Sequence, residues 1–135
     1  NFRKSHLENL LSQVHIIPSI NQIETNPQMV DEETIQFCKE NKIVVEAWSP
    51  LGSGACLSIP AIQILANKYH KSLAQVILRW LLQKGIVVLP KSIHENRIIE
   101  NMNIFDFELT HEEMNLMNQL NQHKRTGPDP DCFNF

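Results

Sequence analysis

The chain has 135 residues, 42% of them hydrophobic and 20% charged, a composition typical of a soluble globular protein with one buried core. Its formal net charge of −3 gives no electrostatic reason to expect binding to nucleic acid or to an anionic membrane. No apolar run approaches the roughly 20 residues that span a bilayer, so no membrane partner is expected.

The cysteines and the first residue bear on the compartment of the protein and on its processing. Cys38, Cys56 and Cys132 are odd in number, scattered and without Cys-x-x-Cys spacing. This pattern argues against a disulfide framework and against a zinc site, and no signal-peptide pattern is present, so we expect a cytoplasmic protein. Because residue 1 is Asn and not Met, we expect either a processed chain or part of a longer one.

Three short apolar runs predict β-strands, over residues 16–24, 43–48 and 85–90. Each run becomes polar at its carboxyl end, at Gln22, Ser49 and Lys91 respectively. The runs are too apolar for a solvated face, which predicts a sheet covered on both sides.

Helices are expected before, between and after these strands. Capping boxes predict four helix starts, at Ser5 with Glu8, Ser72 with Gln75, Ser92 with Glu95, and Thr110 with Glu113. Asp31 can cap a further helix that runs to about Asn41.

Apolar stripes at helical spacing predict two helices between the second and third strands, through Ile62, Leu65, Ala66 and Tyr69, and through Leu73, Val76, Ile77, Trp80 and Leu81. Trp80 and Tyr69 are interpreted as core residues on these stripes. The last helix is expected to run from Thr110 to about Gln122. The tail, residues 126–135, has two prolines and no periodicity, which predicts a loop or an extended arm.

Strands that alternate with helices predict parallel pairing through crossover connections. A βα unit of a (β/α)₈ barrel takes about 31 residues, so the chain has room for roughly four such units. The predicted fold is therefore α/β, half of a (β/α)₈ TIM barrel over residues 1–135, with three parallel strands, flanking helices and an extended tail. Ligands of such barrels bind at the carboxyl ends of the strands.

Chemistry-bearing residues are concentrated in two segments that follow the second and third strands. Residues 46–54 carry an aromatic ring, serines, a proline and glycines, which suit ring stacking, hydrogen bonding to phosphate and close backbone approach. Residues 87–97 likewise place a proline and a serine after a strand, and add the cations Lys91 and Arg97. The two segments together indicate a nucleotide cofactor site.

The residues resemble those of the aldo-keto reductase family, in the bacterial type related to diketogluconate and prostaglandin-F reductases. The segments that carry the resemblance lie in family order over the whole chain, at residues 1–2, 21–24, 47–53, 89–92, 97–101, 104–109 and 129–135. The resemblance implies the C-terminal half of the barrel and the NADPH-dependent reduction of aldehydes and ketones to alcohols, with a small-molecule carbonyl substrate.

The resemblance also implies residue roles on the nicotinamide side. Asn1 and Gln22 resemble the residues that hydrogen-bond the nicotinamide carboxamide, a role that suits an amide because it offers both a donor and an acceptor. Trp48 resembles the aromatic residue that stacks on the nicotinamide ring. Without the resemblance, an amide bound to loop backbone and a core tryptophan would be the favoured interpretations.

On the phosphate side, the loop of Ser49, Leu51, Gly52 and Ser53 resembles the one that straps the pyrophosphate with N–H groups and hydroxyls. Lys91, Ser92 and Arg97 resemble the pocket for the adenosine 2′-phosphate, which favours NADPH over NADH, with Ser92 as a helix N-cap. Glu100 and Asn101 resemble contacts to the adenine amino group. An ordinary turn and a solvated basic pair are the alternatives.

The proton-donating tyrosine of the family, with its lysine, aspartate and histidine, would lie outside this chain, and no catalytic residue can be assigned here. Tyr69, the one tyrosine, is expected in the core. We therefore expect the chain alone to be inactive and its strand edges to favour self-association. A non-catalytic NADP(H)-binding regulatory module, an inactive self-associating fragment and a phosphate-binding barrel of another family are the alternatives. The tail, with Phe133 and Phe135, is expected to line part of the substrate pocket by analogy of fold.

Overall fold

A computed structural model of the protein describes residues 1–132. Its helices are α1 (Lys4–Leu11), α2 (Glu32–Glu40), α3 (Pro60–Tyr69), α4 (Leu73–Gln83), α5 (Glu95–Met102) and α6 (His111–Asn118). Its strands are β1 (Ile20–Glu24), β2 (Val44–Trp48) and β3 (Val87–Val88), and a 3₁₀ segment covers Gly52–Ser58. No helix in the described part of the chain has the length and apolar character needed to cross a bilayer.

The strands form a parallel sheet in the order β1-β2-β3, as the alternation with helices predicts. Ile20 pairs with Val44 at one end of β1 and Glu24 with Trp48 at the other, while Glu46 of β2 pairs with Val87 of β3. The carboxyl ends of β1 and β2 therefore lie at the same edge of the sheet.

One face of the sheet is buried against helices and the other is not. Ile23, Val45 and Ala47 alternate along the strands on the buried face and join the core, in which Trp80 of α4 is 0% exposed. On the other face Ile20 and Val44 are 51% and 45% exposed. The prediction of a sheet covered on both sides is thus wrong for the described residues, although the helices do cover one face.

The predicted strand bounds were too wide at two places. β1 begins at Ile20, because Pro18 has no N–H for a ladder and the side chain of Ile16 is 86% exposed to solvent. β3 has only Val87 and Val88, and Pro90 ends any extension towards Lys91.

The helix-start signals are partly confirmed. Complete capping boxes form at Ser72 with Gln75 and at Thr110 with Glu113, and Asp31 caps α2 by accepting from the N–H of Thr34 at 3.0 Å. The predicted start at Ser5 is wrong, because α1 begins at Lys4 and the N–H of the preceding Arg3 donates to Nδ1 of His6 at 3.1 Å.

The predicted cap at Ser92 is also wrong. The N-cap of α5 is His94, and the Ser92 hydroxyl instead accepts from the N–H of His94 at 3.1 Å in the turn before the helix. At the other end of the chain, α6 stops at Asn118, four residues short of the predicted Gln122, and residues 126–132 contain no helix or strand, as predicted.

Candidate functional site

The polar residues predicted for the nicotinamide side come together at the carboxyl ends of β1 and β2. The indole Nε1 of Trp48 donates to Oδ1 of Asn1 at 2.6 Å, and the Asn1 amino group donates to the carbonyl of Gln22 at 2.8 Å. The side chain of Gln22 is exposed and donates to Glu46 at 3.2 Å. Asn1, Gln22 and Trp48 thus form one cluster, which we call the Trp48 cluster.

The loop after β2 is shaped by residues in the left-handed region. Ser49, Gly52 and Ser53 have φ angles of 50°, 58° and 53°. Gly52 is required by space as well, since a Cβ there would lie 2.8 Å from Sγ of the buried Cys56. The loop is further held by the Ser49 and Ser53 hydroxyl oxygens, 3.1 Å apart.

Most N–H groups of this loop already have partners. Gly52 donates to the carbonyl of Ser49 at 2.9 Å, Ser53 to the Ser49 hydroxyl at 3.1 Å and Gly54 to the carbonyl of Leu51 at 3.0 Å. Gly52 therefore shapes the loop and its N–H is not free for a ligand. Within residues 1–132, the N–H groups of Ser49 and Leu51 have no acceptor, so they and one of the two serine hydroxyls are the donors that remain.

Two clefts adjoin along this loop. The first, of about 310 Å³, is lined by Ser49, Pro50, Leu51, Ser53, Gly54, Leu89, Pro90 and Lys91. The second, of about 550 Å³, is lined by Leu51, Leu57, Ser72, Leu73, Ala74, Lys91, Ser92, Ile93, His94, Arg97, Glu100 and Asn101. We call the first the loop cleft and the second the phosphate cleft. Because Leu51 and Lys91 line both, a single extended ligand can occupy the two.

Every residue predicted for the adenosine end lines the phosphate cleft. Lys91 and Arg97 are exposed and make no ion pair with any residue from 1 to 132. Arg97, Glu100 and Asn101 lie at helical spacing on α5, so they share a face. Two unpaired cations beside hydroxyl and amide groups form a donor set that suits a phosphate ester.

The amino end of α4 also lines the phosphate cleft, through Ser72, Leu73 and Ala74, a part of the site that the sequence did not assign. The signal was present in the Ser72–Gln75 capping box, which marks a helix start. Nothing local in the sequence shows that this start faces α5.

A buried carboxylate attaches the tail to the Trp48 cluster. Glu24 is 2% exposed at the end of β1 and accepts from the N–H and hydroxyl of Thr126, at 2.7 and 2.5 Å, and from the N–H of Gly127 at 3.3 Å. Gly127 lies so close to the indole that a Cβ there would be 2.4 Å from Cη2 of Trp48. The tail therefore crosses the edge of the Trp48 ring. Phe133 and Phe135 lie outside the described residues.

Tyr69 is half-buried on α3 and its hydroxyl donates to Glu113 at 2.5 Å. Burial and this hydrogen bond raise the pKa of the Tyr69 hydroxyl, which makes it a poorer proton donor. The tyrosine is thus part of the packed helical layer, as predicted, and lines neither cleft.

Other features of the described chain do not add to the site. A further cavity, of about 700 Å³, lies between α1, α2 and the tail and shares no residue with the predicted set. In residues 1–132, no three His, Cys, Asp or Glu side chains are placed to hold a metal ion.

Comparison with known proteins relates this arrangement to reductases. The family model described as "Aldo/keto reductase family" matches residues 1–122. Glyoxal reductase of Bacillus subtilis is 50% identical over 135 residues, which cover 100% of this chain and 49% of that protein. The 9,11-endoperoxide prostaglandin H2 reductase of Trypanosoma cruzi is 46% identical over 136 residues, covering 98% and 48%.

The fold matches as well. A crystal structure of Bombyx mori aldo-keto reductase in complex with NADP superposes with a TM-score of 0.89 at 36% identity, covering 96% of this chain and 46% of that one. The match to one half of such (β/α)₈ barrels confirms the predicted fold class. The chain spans about half the length of the curated relatives it matches.

Proposed function

The chain belongs to the aldo/keto reductase family, and from this membership we propose that it forms the cofactor-binding part of an NADPH-dependent reductase of small aldehydes and ketones. The observation that carries the proposal is the pair of adjoining clefts, which share Leu51 and Lys91. Their lining changes from serine hydroxyls at one end to unpaired cations at the other, in the order that a pyrophosphate and a 2′-phosphate need.

In this proposal the residues of the chain bind and orient the cofactor. Trp48 offers a ring face to the nicotinamide while its Nε1 is held by Asn1, and Gln22 offers an exposed amide to the carboxamide. Ser49, Leu51 and Ser53 donate to the pyrophosphate, with Gly52 as the shaping residue. Lys91, Ser92 and Arg97 bind the 2′-phosphate, and Glu100 and Asn101 contact the adenine. NADPH, when bound there, supplies a hydride to a carbonyl carbon.

The cofactor and substrate classes are supported by the relatives. Reductases that superpose on this chain have been crystallised with NADP or NADPH. Among curated relatives are a glyoxal reductase and a methylglyoxal reductase, which act on small carbonyl compounds by their names. We therefore propose a short aldehyde or ketone as the substrate of the whole enzyme, in the cytoplasm. The proton donor is proposed to come from outside residues 1–135, because Tyr69 is bound to Glu113.

We expect the 135-residue chain to bind NADPH and 2′,5′-ADP, to bind NADH more weakly, and to reduce no nitrobenzaldehyde. Binding of NADPH and NADH is measured by quenching of Trp48 fluorescence, with a Trp48→Phe variant to remove the signal, since Trp80 is fully buried. Binding of 2′,5′-ADP, which lacks the nicotinamide, is measured by calorimetry. Replacing Lys91 or Arg97 with Gln is expected to weaken 2′,5′-ADP binding about tenfold or more, because each removes a charged donor worth about 1.5–3 kcal/mol.

Lys42→Gln is the matched control, since Lys42 is exposed beside the amino end of β2, away from both clefts. Equal binding of NADH and NADPH, or an equal effect of the Lys42 and Lys91 replacements, would contradict the proposed cofactor site. Turnover of nitrobenzaldehyde by the pure chain would contradict the proposed source of the proton.

The uncovered face of the sheet favours a second candidate, an inactive chain that associates with a second copy of itself. Ile20, Val44 and Val87 are all more than 40% exposed on adjacent strands, and β1 and β3 both leave an edge unpaired in the described sheet. Burial of such apolar surface stabilises association at about 25 cal/mol per Å². In this second candidate the associated chain binds no nucleotide.

Sedimentation of the ligand-free chain tests this candidate. This candidate predicts a mass above that of the 15.6 kDa monomer, and it predicts that Val44→Lys shifts the mass towards the monomer by placing a charge on the uncovered face. Ile64→Lys is the control, since Ile64 is 69% exposed on α3 and not on the sheet. A monomer at all concentrations would refute self-association.

A further inference from the structure

We propose that Gln75 is a positioning residue for the phosphate cleft, because its side chain joins the start of α4 to the end of α5, and both of these helix ends line the cleft. Gln75 is the third residue of α4 and is 6% exposed. Its Oε1 accepts from the N–H of Ser72 at 2.9 Å. Its Nε2 donates to the carbonyls of Glu100 and Asn103 at 3.0 and 2.9 Å. One amide therefore ties the start of α4 to the end of α5.

Core packing does little to fix α5. The helix contains no buried residue, so its place depends on contacts at its surface and ends. The last carbonyls of an α-helix lack partners from a following turn of the helix, so donors from outside the helix help to fix the position of this end. Gln75 donates to two carbonyls at this end, and the only other side chain that donates there in the described chain is Lys71, at 3.3 Å from the carbonyl of Asn103. The carbonyl of Glu100 also accepts from the N–H of Asn103 at 3.0 Å, so Gln75 is the side chain of α4 that holds this turn, and not its sole partner.

The consequence for the cleft follows from what α5 carries. Arg97, Glu100 and Asn101 belong to α5, whereas Lys91 precedes it and Leu51 lies on the loop after β2. If the end of α5 moves away from α4, Arg97 and Asn101 move relative to Lys91, and the donors no longer converge on one phosphate ester. The choice of a phosphate ester as the ligand rests on the proposed function, whereas the contact between Gln75 and the end of α5 does not.

The test uses 2′,5′-ADP as the probe and two replacements of Gln75. Gln75→Leu removes all three hydrogen bonds. Gln75→Glu keeps an acceptor for the N–H of Ser72 but turns a carboxylate towards the carbonyls of Glu100 and Asn103, so it separates capping of α4 from attachment of α5. We expect both variants to raise the dissociation constant about tenfold, which corresponds to about 1.4 kcal/mol.

Gln83→Leu is the matched control. Gln83 lies on the same helix and makes the same kind of two-way contact, donating to the carbonyl of Leu109 at 3.0 Å and accepting from its N–H at 2.8 Å, but it lines neither cleft. We expect Gln83→Leu to leave 2′,5′-ADP binding unchanged even if it lowers stability as much as Gln75→Leu.

Hydrogen exchange of the ligand-free chain gives a second, independent reading. Amides of residues 98–103 are expected to exchange faster in both Gln75 variants and at the original rate in Gln83→Leu. Tight 2′,5′-ADP binding by the original chain with no loss in the Gln75 variants would overturn the role of Gln75 alone. Failure of the original chain to bind 2′,5′-ADP would overturn the proposed function and with it the role of Gln75 at that cleft, whatever the exchange rates.

Discussion

Replacing Gly127 with alanine is expected to lower the free energy of unfolding by about 1–3 kcal/mol, the usual range for overpacking. The added Cβ would lie 2.4 Å from Cη2 of Trp48, a distance that atoms do not tolerate. Neither partner moves easily, because Trp48 Nε1 is bound to Asn1 and the N–H of Gly127 is bound to Glu24. Either the indole turns away from Asn1 or the tail leaves Glu24.

The two results of Gly127→Ala that can be measured are stability in urea and the affinity for NADPH. If Trp48 stacks on the nicotinamide, as we propose, a turned indole also weakens NADPH binding, while 2′,5′-ADP, which lacks the nicotinamide, binds as before. This difference between the two ligands separates local displacement of Trp48 from general loss of structure.

A double-mutant cycle with Trp48→Phe provides the control for Gly127→Ala. The smaller ring leaves room for the new methyl group, so Gly127→Ala should cost less stability in the Trp48→Phe background, with a coupling free energy of about 0.5–3 kcal/mol. An equal cost in both backgrounds would show that contact with Trp48 is not the cause.

Local patterns in the sequence predicted the parts of the fold that depend on neighbouring residues. Apolar runs located three strands, and their separation by helices predicted the parallel pairing of β1, β2 and β3. Capping signals were right at Asp31, Ser72 and Thr110, where the hydroxyl or carboxylate finds a free N–H three residues on. These signals succeed because donor and acceptor are close in the chain in any helical conformation.

The same reasoning failed where a different local bond was available. At Ser5 a competing cap formed earlier, with Nδ1 of His6 accepting from Arg3. At Ser92 the hydroxyl was used in a turn with His94, so the helix began at Glu95. A Ser-x-x-Glu pattern shows that a cap is possible and does not show which of several closely spaced starts has the lowest free energy.

The contacts that assemble the candidate site could not be predicted at all, since they join residues far apart in the chain. Glu24 and Thr126 are 102 residues apart and were recognised only as a strand end and a loop. Gln75 was recognised as half of a capping box, but not as the partner of a carbonyl 28 residues further on. The sequence thus predicted which residues face the clefts through the family resemblance, and not what holds them there.

Replacing Glu113 with glutamine is expected to lower the free energy of unfolding by about 2–3 kcal/mol at neutral pH, since hydrogen bonds to a charged group are worth about 1.5–3 kcal/mol. Glu113 accepts from Lys68 Nζ at 2.6 Å, from the Tyr69 hydroxyl at 2.5 Å and from the N–H of Thr110 at 2.8 Å. All three partners are donors. A glutamine keeps one acceptor oxygen and turns an NH₂ group towards the remaining donors, so at least one bond is lost.

The pH dependence of this effect follows from the pKa of Glu113. Burial raises the pKa of the carboxyl, but the hydrogen bonds from Lys68, Tyr69 and Thr110 outweigh it and hold the pKa below the ordinary value of 4.5. Folding therefore favours the charged form. The contribution of Glu113 to stability is complete above pH 4.5 and is lost as the pH falls through the lower pKa of the folded state.

The measurement is the difference in unfolding free energy between the original chain and Glu113→Gln, taken in urea at neutral pH and again well below pH 4.5. The difference cancels the contribution of other carboxyls with lowered pKa values, such as Asp106 and Asp129. We expect it to shrink on acidification, because protonated Glu113 and glutamine are similar in shape and charge.

Glu8→Gln is the control: Glu8 is exposed and 3.9 Å from Lys4, a pair worth about 0–1 kcal/mol. A difference for Glu113→Gln that stays constant with pH would mean that the charge on the carboxylate is not what joins α3 to α6.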